Sequence, residues 1–195
     1  MGDLLLRPPS MSDFESWSET RMASREFLRP WEPAWPENDL TKPAFRRRLK
    51  RYAREREEGR SLAMLLVTAK TNAVIGGVTL ANIRRGVSQN VTLGYWMGVQ
   101  NAGKGYMTRA VTAVLPFCYH TLRLHRVEAA CLPTNERSMR LLRTVGFRQE
   151  GYARNYLLIN GRWQDHMLFS CLAEDWAMRN KTPRVSIGGK LKEFL

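Results

Sequence analysis

The apolar positions change period several times along the chain, and each change marks an element. Leu4 to Arg7 reads as a short strand, stopped by Pro8-Pro9. Helical spacing follows through Met11, Phe14 and Trp17. Ser10 or Ser12 can cap it, and Glu15 stands three residues after Ser12 as in a capping box. The spacing continues toward Leu28, where Arg29-Pro30-Trp31-Glu32-Pro33-Ala34-Trp35-Pro36 interrupts it. Prolines withhold donors and fix φ, so this stretch is an extended or turned loop. Thr41 caps a further helix with Pro43 in its first turn, running through Phe45, Leu49 and Tyr52 to a C-terminal Gly59.

After Gly59 the spacing becomes strand-like. Leu62 to Thr68 and Val74 to Ala81 are strands joined at Lys70-Thr71-Asn72, and Gly76-Gly77 signals a bulge or a close backbone approach. Val91 to Val99 is a third strand. Tyr106 to Leu122 is helical, with a kink expected at Pro116. His125 to Leu132 is a strand, Glu136 to Val145 a helix ended by Gly146, and Phe147 to Ile159 forms a hairpin with Trp163 to Leu172 about Asn160-Gly161. The polar, basic run 179–195 is expected to be a tail appended to a domain of residues 1–178. This order predicts an α+β fold with a largely antiparallel sheet, not the repeated βαβ of a dinucleotide fold.

Composition narrows the classes. The chain has 195 residues, enough for one domain, and no apolar run approaches the ~20 residues of a membrane span. The start Met1-Gly2-Asp3-Leu4-Leu5-Leu6 is too short in apolar residues for a secretory signal and carries an acid where a basic leader is expected, so a cytoplasmic location is predicted. Cys118, Cys131 and Cys171 are odd in number and embedded in apolar runs, which predicts free buried thiols. His120, His125 and His166 are too scattered to suggest a metal site. The formal charge of +13 suits a polyanionic partner such as RNA or an anionic cofactor, and equally a generally basic solvated surface.

The strongest chemical signal is Gln100-Asn101-Ala102-Gly103-Lys104-Gly105, a Q-x-x-G-x-G turn between a strand and a helix. Glycines let backbone approach a ligand, and the helix start offers unpaired N–H groups and a positive dipole end, a device that suits a pyrophosphate. Together with Asn135-Glu136-Arg137-Ser138 and the later Gly146-Phe147, this turn resembles the acetyl-CoA motifs of the GNAT (Gcn5-related) N-acetyltransferases, over nearly the whole chain to about Trp176. Leu28-Arg29-Pro30-Trp31-Glu32-Pro33, Leu93-Gly94-Tyr95-Trp96 and Asn155 to His166 narrow the resemblance to the RimJ type, which acetylates the N-terminal alanine of ribosomal protein S5.

The resemblance implies a GNAT fold, with a mixed, mostly antiparallel sheet, helices on both faces and splayed central strands. It implies that acetyl-CoA is held by backbone groups of Met97 and Val99 on its pantetheine arm. Backbone groups of Gln100, Asn101, Ala102, Gly103, Lys104, Gly105 and Tyr106 would hold its pyrophosphate, with no metal required. Asn135 would bond the cofactor, and Ser138 matches the position that protonates the departing thiolate. The base does not carry over: the glutamate of some relatives falls at Ala130 and that of others at Leu157. Glu128 is the candidate. Flanked by Val127, Ala129 and Ala130, it is expected to be buried and so raised in pKa, or else to be a structural carboxylate paired with Arg126 or Arg123. Trp31, Glu32, Trp35 and Tyr95 are candidates for an acceptor site suited to a peptide N-terminus, or for ordinary packing. The acceptor expected is a protein α-amine, with ribosomal protein S5 foremost. The basic helix Arg46 to Arg56 either touches ribosomal RNA or is a solvated face. A monomer and a homodimer both fit. A small-amine acceptor, and a ribosome- or RNA-binding assembly protein with a vestigial transferase site, are alternative readings.

Overall fold

A computed structural model describes residues 3–179. Its strands are β1 (Leu4–Arg7), β2 (Leu62–Thr68), β3 (Val74–Arg84), β4 (Asn90–Met97), β5 (Arg126–Cys131), β6 (Arg148–Ile159) and β7 (Arg162–Leu172). They form one sheet in the order β1-β2-β3-β4-β5-β7-β6. Every pairing is antiparallel except β4 with β5. That parallel pairing covers only Asn90–Thr92 against Arg126–Glu128. Beyond it β4 continues to Met97 paired with β3, and β5 continues to Cys131 paired with β7. The two central strands therefore part, as the resemblance implies.

Helices cover both faces. On one, α4 (Tyr106–Pro116) and α5 (Glu136–Val145) pack on Met64, Leu66, Val78, Leu80, Leu93 and Val127. On the other, α1 (Phe14–Ala23) and α3 (Lys42–Glu57) bring Trp17 and Phe45 against Leu65, Val67 and Val74. The alternation of β2 between the two clusters is the period of a strand buried on both sides. α2 (Arg25–Leu28) is a single turn, separated from α1 by Ser24, so the helical spacing to Leu28 is broken there. Pro116 ends α4, and a π turn over Phe117–Thr121 follows. The Asn160-Gly161 turn has φ of 46° and 77°, the left-handed pair that a two-residue hairpin needs. Gly77 is a close approach: a Cβ there would collide with the Trp96 indole.

Two expectations are corrected. The helix start is organised by Ser10 and Asp13, not by Ser12 and Glu15. Asp13 is 4% exposed and accepts from the Ser10 N–H at 2.7 Å and from Arg7 at 2.8 and 2.5 Å, so the ion pair to β1 selects the cap. The C-terminal helix α6 (Ala173–Arg179) was not expected; its Trp176 packs on Tyr119. It continues one residue past the expected boundary at 178, and residues 180–195 of the expected tail lie outside those described. Cys118, Cys131 and Cys171 are free and buried.

Burial alone would raise the Asp13 pKa, but the bonds from Arg7 and Ser10 outweigh it and hold the carboxyl below its usual range. A carboxyl lowered in the folded state stabilises above its unfolded pKa of roughly 3.9, and that stability is lost as pH falls through the folded value. Asp13→Ala is expected to cost about 2–3 kcal/mol in urea denaturation at pH 7, with the difference from wild type shrinking below about pH 4. A cost that does not change with pH would contradict the ion-pair account.

Candidate active site

The glycine turn is built as a ligand-facing bend. Gly103 and Gly105 have φ of 78° and 76°, and an added Cβ at either would meet nothing within 4 Å. Packing thus does not require glycine here; the backbone conformation does, and the space above it is open. Gly105 is the N-cap of α4 and carries no side-chain cap bond. The N–H groups of Tyr106, Met107 and Thr108 are the orphan donors of that helix start. Lys104 stands exposed beside them. The donor set and the open space fit a diphosphate.

The expected donor range is too wide. A 3-10 turn over Val99–Asn101 occupies its first part: the Asn101 N–H bonds Gly98 O at 2.9 Å and the Ala102 N–H bonds Val99 O at 3.3 Å. Val99 is also not free on its N–H, which donates to Ser24 Oγ at 2.9 Å. The bend therefore offers the Gln100 N–H and the donors from Gly103 onward, and of Val99 only a second lone pair on the carbonyl. Met97 sits at the open end of β4, in register with Gly76. Ser24 is 1% exposed and receives its own anchor by donating to Thr20 O at 2.7 Å. This tie from the α1–α2 junction to the bend is not readable from a spacing of 75 residues.

Across the split, Asn135 caps α5 by accepting from the Ser138 N–H at 3.1 Å, as a cap residue does. Its NH2 group remains as a donor. Ser138 Oγ lies 2.7 Å from the Tyr95 hydroxyl. Burial pushes the Tyr95 phenol well above its ordinary range, against a smaller opposing effect of the Ser138 bond. At neutral pH it is an intact O–H that can donate to Ser138. The sequence placed Tyr95 with the acceptor residues; the structure joins its hydroxyl to Ser138. The Cys131 thiol, also pushed up by burial, adjoins Ser138 at the end of β5.

Glu128 is not where its neighbours in sequence imply. Val127 and Ala129 point into the α4–α5 core, so Glu128 points to the other face, 37% exposed and bonded by Arg126 Nε at 2.7 Å. The same arginine binds Glu150, which Ser170 also supports at 2.6 Å. The expectation of burial is corrected, and the pairing with Arg126 is what the structure contains. Glu128 also lies in the last β4–β5 pair, at the closed end of the split.

On the α1–α3 face a cavity of about 470 Å³ opens over β4, lined by Glu32, Trp35, Gly94, Tyr95 and Trp96 among others. Trp31 is not among its lining residues. Arg21 organises this wall. It is 7% exposed, forks onto both oxygens of Glu32 at 2.8 and 2.7 Å, and lies 4.0 Å from the Trp35 ring centre and 4.8 Å from that of Trp96. Trp35 Nε1 donates to the same carboxylate at 2.8 Å. Glu32 is thus neutralised and oriented, rather than a bare charge. Nothing in the sequence distinguishes Arg21 from the other arginines; only the fold does.

Residues 3–148 match the family model described as "Acetyltransferase (GNAT) domain". The chain belongs to the GNAT acetyltransferase family. It is 34% identical over 172 residues to a probable N-acetyltransferase, YjcK, of Bacillus subtilis, covering 88% of this chain and 95% of that protein. It is 34% identical over 166 residues to the [ribosomal protein uS5]-alanine N-acetyltransferase of Escherichia coli, covering 84% of this chain and 86% of that one. Its fold matches the ribosomal-protein-S5-alanine acetyltransferase of Vibrio fischeri with a TM-score of 0.83 at 32% identity, over 90% of this chain and 96% of that one. It matches Mycobacterium smegmatis RimJ in complex with CoA-disulfide with a TM-score of 0.84 at 31% identity, over 88% and 83%. The chain is therefore an N-acetyltransferase of the RimJ type. No helix among the described residues is long and apolar enough to cross a membrane, and none of their His, Cys, Asp and Glu side chains cluster as a metal site.

Arg21→Ala leaves the half-buried Glu32, bonded to the Trp35 indole, without its cation. It is expected to cost about 3 kcal/mol in urea denaturation and to raise the KM for the acceptor more than that for acetyl-CoA. An unchanged acceptor KM would show that this wall does not face the acceptor.

Proposed function

We propose that this GNAT enzyme moves an acetyl group from acetyl-CoA to the N-terminal α-amine of a protein, with ribosomal protein S5 bearing an N-terminal alanine as its acceptor. Acetyl-CoA supplies an activated thioester whose thiol leaving group has a pKa of roughly 8.5. Gly103, Lys104, Gly105 and the first amides of α4 hold its diphosphate. Met97 and the Val99 carbonyl bond its amide arm in the split, and the Asn135 NH2 fixes it on the far side. Ser138 donates to the sulfur as charge develops there, and Tyr95 donates to Ser138, so the pair passes a hydrogen bond toward the thiolate. The acceptor enters from the α1–α3 face, between Trp35, Trp96 and Glu32.

The observation that carries this reading is the 2.7 Å Tyr95–Ser138 contact, which spans the split opposite the glycine bend. The choice of an α-amine rests on magnitude. An α-amine has a pKa of roughly 7.7–8.0 and a lysine roughly 10.4, so at pH 7 the former is uncharged hundreds of times more often. Glu128, the sequence candidate for base, is held by Arg126 at the closed end of the split. The ribosomal acceptor is supported by the identity to the uS5-alanine enzyme, and the basic helix α3 suits work beside RNA.

Mass spectrometry of the purified enzyme with acetyl-CoA and an S5 N-terminal peptide tests the reading, with the same peptide blocked at its terminus and bearing a free lysine as the control. Acetylation of the α-amine alone is expected; acetylation of lysine alone would overturn it. Ser138→Ala is expected to lower kcat about 100-fold while acetyl-CoA affinity stays within about twofold. Gly103→Asp, which places a side chain and a negative charge at a left-handed position facing the diphosphate, is expected to abolish calorimetric acetyl-CoA binding. Wild-type affinity in that variant would remove the bend from the site.

A further inference from the structure

We infer that His166 is the base that takes the proton from the acceptor amine. The inference rests on the transfer reaction proposed above. It starts from an anomaly of burial. The hairpin of β6 and β7 exposes Tyr156, Leu158 and Trp163 at 48%, 48% and 63%, yet His166 among them is 2% exposed.

Its ring is fixed in one protonation pattern. Nδ1 lies 3.0 Å from the Gln164 main-chain oxygen. A carbonyl oxygen can only accept, so Nδ1 carries the hydrogen, and in the neutral ring Nε2 is a bare acceptor. Nε2 has no partner among the described residues. The Tyr156 ring meets the imidazole edge-on at 5.7 Å between centres. That tyrosine stands in a bulge where β6 spans Ala153 to Leu157 while β7 spans only His166 to Gln164. Asp165 pins the bulge by accepting from the Asn155 N–H at 2.8 Å and from the Tyr152 hydroxyl. The sequence run Asn155 to His166 is thus a device that holds one imidazole, not only a turn.

Register places that imidazole. Met167 pairs with Cys131, whose thiol adjoins Ser138, and Met167 packs toward the α4–α5 core. His166 is the next residue, so it points to the opposite face. Thr92 pairs with Glu128, and Ala130 with Leu168, so Thr92, Gly94, Trp96, Glu128, Ala130, Leu168 and His166 share one side of the sheet. That is the face on which the α1–α3 cavity opens, and His166 lies on it outside the residues that line the cavity itself. There the Asn160 N–H at the hairpin tip donates to Glu32 O at 2.9 Å and ties the hairpin to the cavity wall. His166 also lies at the open end of the split, one position beyond the Cys131–Met167 pair. Glu128, paired with Ser170, is four residues back along the strands from His166, roughly 13 Å away at strand rise.

The step balances with these groups. The uncharged amine nitrogen attacks the thioester carbonyl carbon, the N–C bond forms, and the C–S bond breaks. One N–H proton passes to His166 Nε2 and then to solvent. Ser138, held by the Tyr95 hydroxyl, donates a hydrogen bond to the departing sulfur, and the thiolate takes its proton from solvent, into which His166 has released one.

His166→Asn separates this role from packing, because its amide NH2 can still reach the Gln164 oxygen while nothing replaces Nε2. With the S5 N-terminal peptide at pH 7, kcat is expected to fall about 100-fold, with acetyl-CoA affinity within about twofold of wild type. The same peptide ending in a weakly basic aminooxy group, whose nitrogen after attack is acidic enough to give its proton to water, is expected to react within about threefold of the wild-type rate. His166→Gln serves as a second variant if the first does not fold. A folded variant that acetylates the ordinary peptide at a third or more of the wild-type rate overturns the assignment. So does an equal loss with both acceptors, which is the mark of a packing role. A wild-type enzyme that binds acetyl-CoA and acetylates neither peptide overturns the parent reading, and this one with it.

Discussion

The site depends on a pairing that stops early. β4 and β5 are hydrogen-bonded over three residues and then separate, although each remains fully paired on its other side. A parallel pair abandoned in mid-sheet leaves backbone donors and acceptors facing a gap, and such groups demand a partner. The fold tolerates this because both flanks are rigid: β3 holds β4, and β7 holds β5. The gap also gives the sheet two working faces. The Tyr95 hydroxyl and Ser138 stand on one, the aromatic cavity opens on the other, and the split joins them.

Much of this architecture is legible in sequence because it rests on local rules. The glycine turn, the Asn135 cap, the Asn160-Gly161 hairpin and an irregularity at Pro116 each follow from a residue type with one conformational use, although the helix read through to Leu122 ends at Pro116 and gives way to a π turn. What the sequence hides is contact at a distance. Tyr95 to Ser138, Ser24 to Val99 and Arg21 to Trp35 and Trp96 join positions that no period relates. Glu128 shows the opposite hazard. Its neighbours in sequence are apolar, but in a strand they point the other way, so they say nothing about its surroundings. Its spatial neighbours are Arg126 and Ser170, read from register.

The wall proposed to meet the acceptor has its charges cancelled within a very basic chain. Arg21 is a cation, and Glu32 and two indole faces absorb its charge. The same contacts fix the loop that follows a 3-10 turn over Arg29–Trp31, where the expected loop is instead helical through Pro30. The donor bend is polarised in the other sense, with α4 presenting its positive end and Lys104 beside it. In the proposed function the anionic cofactor meets the positive bend, and the acceptor meets a wall whose charges cancel, on the other side of the sheet.

The central claim is that amides from Gly103 through the first turn of α4 grip the diphosphate of acetyl-CoA. Residue-resolved amide hydrogen exchange with and without acetyl-CoA tests it directly. The account predicts slowed exchange at residues 103–108 on binding, with the already bonded amides of Asn101 and Ala102 changing little. Binding that leaves 103–108 unprotected while slowing exchange elsewhere would contradict it.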